Sequence, residues 1–357
     1  MKNGKSLTEL AIEIERRQNA KRDFIADTRE VTFDSFSPDA PQHNKIVPRL
    51  VVDGERFPIT DICHRQIGDR TQIPAKYYDR MREEAPQLLG MNVNHWFKNN
   101  HERRLIRTLD GSARALLSDR YHRIDNEHIA EVILPVLAEV EGLKVVSCEI
   151  TERRMYIKAV NERLQADVKV GDTVEAGVMI TNSEVGAGAV VIAPLVHRLI
   201  CLNGMVVNDH KFRRNHVGAQ ADTSEAVYEM LSDEALQADD KAILLKARDV
   251  VRASLDSALF EQTVAKMRAA TEGEIMADPV KAIEKLGQKV SLLEGEKTSV
   301  LAHLIQGGDL SRYGMLNAVT RAAQDVESYD RSTDLEQIGG TILELAPSQW
   351  NEMAIAA

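Results

Sequence analysis

Aromatic side chains are scarce: seven Phe, seven Tyr and two Trp, 4% of 357 residues. The core must therefore rest on Leu, Ile, Val, Ala and Met. Cysteine is scarcer still. Cys63, Cys148 and Cys201 are odd in number and far apart. No disulfide framework or CxxC pair can come from that pattern, and a reducing compartment is expected. No stretch approaches the roughly 18 consecutive apolar residues of a membrane span. The opening segment, MKNGKSLTELAIEIERR, is charged throughout and has no signal-peptide apolar run. The expectation is a cytoplasmic protein without a membrane partner. Neither GxxxxGK[ST] nor GxGxxG occurs, which excludes a P-loop and a dinucleotide fingerprint. A basic excess is missing too: 45 Lys and Arg stand against 55 Asp and Glu, a net charge of −10. Any nucleic-acid site must then be a local patch.

Such patches are present. Residues 101–123 carry Arg103, Arg104, Arg107, Arg114, Arg120 and Arg123 against Glu102, Asp110 and Asp119, a net +3. Residues 197–216 carry Arg198, Lys211, Arg213 and Arg214 against Asp209, again +3. Residues 325–357 reverse the sign: seven acids face Arg331 alone, a net −6. The asymmetry points to a basic surface on the first part of the chain and an acidic surface on the second.

Local patterns divide the chain at 216–224. Up to residue 220 it reads as mixed α/β: a helix over 5–18, hairpins around Asp53-Gly54 and Asp110-Gly111, and a helix after Pro74. A helix over 126–141 follows, with Asn126 as cap and Pro135 inside it. Strand candidates LKVVSCEIT and RMYIKAVN come next, then two β-rich runs joined by a flexible tip at Gly186-Ala187-Gly188. From 221 to 357 the texture is helical and acidic, with helices expected over 278–290, 294–306 and 312–327. The fold class is α+β: an antiparallel sheet with packed helices, followed by an all-helical region.

Three groupings carry candidate chemistry. His197, Cys201, His210 and His216 are ligand types that zinc uses, but the second pair lacks tight spacing, and surface histidines beside a buried thiol explain them. Asp119, His122, Asp125, Glu127 and His128 could hold Mg²⁺, although acids at a helix start also cap free N–H groups. The third grouping is the arginines themselves. Arg103, Arg104, Arg107, Arg120, Arg123, Arg198, Lys211, Arg213 and Arg214 suit phosphate, and Tyr121 and Phe212 could stack bases. No cofactor or metal is called for.

The strings ALLSDRYHRIDN (115–126), HRLICLNGMV (197–206) and RYGMLNAVT (312–320) resemble the phage/plasmid-like family known as domain of unknown function 932. The resemblance runs from about residue 60 to 330. It implies a mobile-element setting and no particular reaction. The expectation is a single-stranded-DNA-binding or annealing protein of recombination, replication or protection of incoming DNA. It would be a homo-oligomer, with the acidic region free to recruit a host protein. A metal-dependent nuclease using residues 119–128 and a host-binding anti-defence adaptor are the alternatives.

Overall fold

The computed structural model describes residues 1–35, 47–209, 211–216 and 233–355. The seam at 216–224 thus lies mostly outside the described residues, and His210 lies outside them.

Helix α1 (Leu7–Ala20) starts where Ser6 and Glu9 form a reciprocal capping box. Strand β1 (Arg22–Asp27) then joins a sheet completed later by β5 (Arg103–Leu109) and β6 (Ser112–Ser118). A second three-stranded sheet holds β2 (Thr32–Asp34), β3 (Arg49–Val52) and β4 (Glu55–Pro58). Both Asp-Gly hairpins form as expected. Asp53 and Gly54 have φ of 50° and 80°, Asp110 and Gly111 of 50° and 72°, the paired positive values of the tightest hairpin turn. Helices α2 (Asp61–Thr71), α3 (Ala75–Glu84) and α4 (Pro86–Asn99) pack on these sheets. Their core contains Phe33, Leu50, Ile67, Tyr78, Leu89 and Phe97.

Helix α5 (Asn126–Glu139) leads into a six-stranded sheet. Its members are β7 (Leu143–Ile150), β8 (Met155–Lys169), β9 (Asp172–Asn182), β10 (Val190–Arg198), β11 (Asn203–Val206) and β12 (Phe212–Arg214). Strands β7 to β11 lie side by side in chain order and antiparallel; β12 pairs the other half of the β10 edge, with Val190 opposite Arg214. Strand β8 is about twice as long as its apolar run, because bulges let the polar stretch 162–169 keep pairing with β9.

The helices that follow are α6 (Asp233–Ser254), α7 (Ser257–Thr271), α8 (Pro279–Val290), α9 (Glu294–Gly307), α10 (Arg312–Ala322), α11 (Tyr329–Leu343) and α12 (Pro347–Ile355). Asp278 caps α8, and Gly308, with φ 63°, ends α9. Helices α11 and α12 fall in the acidic tail. Among the described residues no helix is long and apolar enough to cross a membrane.

Among the described residues the helical part has no core separate from the sheet. Ile243, Ala247 and Val251 of α6 pack with Ile133 of α5 and Ile157 and Ile180 of the sheet. Val264 and Met267 of α7 and Leu316 of α10 pack with Val174, Val196 and Met205. Helix α11 crosses the remaining sheet face, and its fully buried Glu336 pairs with fully buried Lys158 at 2.6 Å. The compositional seam is therefore not a boundary between cores. The described structure has its own core in the lobe formed by β1–β6 and α2–α4.

Candidate nucleic-acid interface

Alternation along β5 decides the fate of its arginines. With a period of two, Ile106 faces the lobe core while Leu105 and Arg107 face the link between β9 and β10. Arg107 is fully buried there. Its Nε lies 3.0 Å from Asp23 and its Nη2 2.8 Å from Asp125, and Nη1 donates to the Glu184 carbonyl at 3.1 Å. Lys21 completes the pairing of Asp125. Burial disfavours the charged carboxylate of Asp125, yet Arg107 and Lys21 outweigh it and hold its pKa below the usual value. Arg114 donates to Glu184 at 2.8 Å, and the other Glu184 oxygen accepts the Asn126 N–H at 2.8 Å.

Residues 183–189 are accordingly no flexible tip. Glu184 is gripped by Arg114, the Val185 carbonyl accepts from Gln66, and the Ala187 carbonyl accepts from Arg154 at 2.8 Å. Tyr121 is buried, donates to the Ser183 carbonyl at 2.7 Å and stacks on His216 with centroids 4.8 Å apart. Burial pushes its phenol pKa up.

One clasp joins the two basic runs. The His122 N–H donates to the His216 carbonyl at 2.7 Å, and His216 Nδ1 lies 2.9 Å from the His122 carbonyl. Segments 118–123 and 211–216 therefore adjoin, about ninety residues apart in sequence. Register adds a third piece: Arg104 lies opposite Ser118, so the start of β5 sits beside the exit of β6. Around this junction Arg103, Arg123 and Arg213 are exposed and have no ionic or hydrogen-bond partner among the described residues. Lys211 is exposed and reaches Asn208 at 3.3 Å; Arg120 is half-buried.

Other candidates drop out. Arg107 is inside, and Tyr121 has no free ring face at the surface. Arg198 lies at the far end of β10, about 27 Å from Arg214 at roughly 3.4 Å per residue. It forks onto Asp172 at 2.6 Å and packs over Tyr313. Phe212 is half-buried against the core of α5 and α6. Arg104 pairs with Glu102, and Arg214 with Asp239 at 3.0 Å. In each case a carboxylate or a packed face consumes what the composition left open.

The metal candidates disperse as well. His197 lies 3.1 Å from Glu175 at the far end of β10, while His216 is at the clasp. His122 lies 2.7 Å from Asp240. Among the described residues no three His, Cys, Asp or Glu side chains converge as ligands. The tail is less available than its charge suggests: Glu336 is buried, Asp330 accepts from Tyr156 at 2.6 Å, and Glu344 accepts two backbone N–H groups.

The three strings that carry the family resemblance meet in these contacts. Tyr121, His122, Asp125 and Asn126 join the buried network, while Arg198 meets Tyr313 through Asp172, and Asn203 donates to Thr320 at 2.5 Å. The family described as domain of unknown function (DUF932) matches residues 114–346, more than half of the chain. The chain belongs to the DUF932 family. The matched region takes in β6, the six-stranded sheet and the helices through α11, so the DUF932 core includes both sides of the compositional seam. None of the curated proteins and none of the solved structures compared with it matches the chain.

The sequence pattern gave no warning of Lys21 or Asp23 as partners in this network. Glu184 had a signal: it is the one charged residue between Ala176 and Val196, and a lone acid in such a run asks for a buried partner.

Proposed function

We propose that the chain binds single-stranded nucleic acid along the surface running from Arg103 through Arg120 and Arg123 to Lys211 and Arg213. The carrying observation is the His122–His216 clasp, which brings together the chain segments bearing three guanidinium groups that have no partner among the described residues, on a protein of net charge −10. Guanidinium forks that no carboxylate neutralises are the groups a phosphate chain can engage. Binding would be electrostatic and weakly sequence-dependent, since phosphate contacts position a strand without reading it. The free thiols of Cys63, Cys148 and Cys201 fit a reducing cytoplasm.

The test is fluorescence anisotropy with a labelled single-stranded oligonucleotide at increasing salt. For a single strand the log–log slope falls by about 0.7 for each phosphate that is no longer engaged. Replacing Arg123 and Arg213 together by Ala should reduce it by about 1.4. Replacing Arg198 should leave it unchanged. Absence of binding, or a slope indifferent to the double replacement, defeats the reading.

A further inference from the structure

Stacking needs exposed rings, and the structure supplies them outside the two basic runs. Among the described residues Tyr77 and Trp96 are the exposed Tyr and Trp side chains, at 48% and 43%. Both line one cleft of about 290 Å³, formed where the turn between α2 and α3 meets the end of α4. Helical spacing explains their outward aim. Tyr78 and Met81 fill the inner face of α3, and Val93 and Phe97 that of α4. Tyr77 and Trp96 each precede an inward ring by one position, which turns them about 100° away from it.

The surroundings suit a base. No acidic side chain lines the cleft; Arg70 does, paired with Glu102, which also pairs with Arg104. Arg103, one end of the proposed phosphate surface, stands between Glu102 and Arg104 in sequence and, by the alternation of β5, on the opposite face of that strand from Arg104. The exposed amides of Gln72 and Asn100 border the cleft and have no side-chain hydrogen-bond partner among the described residues. Amides of this type pair with base edges once a base is unstacked. The larger cleft nearby, about 570 Å³, differs in kind: four acids, Asp61, Asp69, Asp79 and Glu83, outnumber Arg65 and Arg82 in its lining, a net negative surface less suited to a phosphate chain.

We propose that the Tyr77–Trp96 cleft receives a nucleobase of the bound single strand, with its rings stacking the base and Gln72 and Asn100 meeting its edge. This rests on the phosphate surface proposed above and names where that surface reads more than charge. The cleft lies outside residues 114–346, so it belongs to the N-terminal lobe of this chain rather than to the matched family region.

Tryptophan emission tests it directly, because the other tryptophan, Trp350, is buried and donates to the Glu274 carbonyl. The full chain is titrated with a single-stranded oligonucleotide and with an abasic oligomer of the same length and charge. The expected result is quenching by the base-bearing strand only. Trp96→Ala and Tyr77→Ala should each weaken that strand roughly five- to 150-fold, the range for one stacked base, and leave the abasic oligomer unaffected. Trp96→Phe should retain most of the affinity, which separates stacking from misfolding. Equal binding of both oligomers with unchanged emission overturns the cleft and leaves the phosphate surface standing. Failure of both oligomers to bind overturns the surface and the cleft together.

Discussion

Replacing Arg107 by Met should expose how much of this fold hangs on one buried cation. The guanidinium is fully buried and meets Asp23 at 3.0 Å and Asp125 at 2.8 Å. Removing one partner of a buried pair costs about 3–5 kcal/mol, because the other charge stays in place without compensation. Lys21 remains on Asp125 and Asp23 is partly exposed, so the lower end applies, about 3 kcal/mol. At about 1.3 °C per kcal/mol for a chain of this size, the melting temperature should fall by about 4 °C near neutral pH. The double replacement Arg107→Met with Asp125→Leu should be less damaging than the two single losses added together, since both charges then leave. The pH dependence has a definite sign. The Asp125 pKa is depressed in the fold, so its contribution is present above the usual aspartate value of 3.8 and is lost as pH falls through the folded value. Without Arg107 that depression shrinks, and the gap between variant and parent should narrow below about pH 4. Thermal unfolding followed by circular dichroism across pH measures all of this. A shift under about 1 °C, or strict additivity in the double variant, would refute the reasoning.

Other outcomes follow from the same geometry. Burial, with Arg82 beside it, lowers the His64 pKa from 6.5 to about 4. The fold therefore holds the ring neutral, and up to about 3 kcal/mol of stability, complete above pH 6.5, should be lost as pH falls toward 4. An NMR titration of the His64 ring checks this, and His64→Gln should flatten the dependence. A Cβ at Gly340 of α11 would overlap the Val206 carbonyl oxygen, so Gly340→Ala should cost about 2–3 kcal/mol. The control is Gly295 in the first turn of α9, where a Cβ meets nothing within 4 Å; Gly295→Ala should be neutral or stabilise by up to about 1 kcal/mol in chemical denaturation. Tyr313→Phe deletes a donor to Asp172 at 2.9 Å and should lower stability by about 1 kcal/mol in the same assay.

What the sequence showed and hid has a physical pattern. Local signals read correctly: both Asp-Gly hairpins, the Asp278-Pro279 start of α8 and the glycine stop of α9 each depend on residues within a few positions. One cap shifted by a residue, from Asn126 to Asp125. Helix α7 is capped by Asp256, inside a run with no Gly or Pro to mark a break. The site was poorly legible because its deciding partners are remote. Asp23 lies 84 residues from Arg107, and Glu184 lies 70 from Arg114. Composition counts Arg107, Arg198 and Arg103 alike, whereas folding buries the first, pairs the second and leaves the third open. Tyr77 gives no signal of its own because it stands beside Tyr78 in a helix, and only the packing says which ring turns inward.

The Lys158–Glu336 pair has a consequence for how this protein can be inherited. A chain ending near residue 220 would leave an ammonium group in the middle of its main sheet, with its counter-charge on a helix that was never made. Separating the chain at the compositional seam would thus strand a buried charge on each side, and helices exchanged at that point preserve the pair only when the incoming helix carries an acid at position 336.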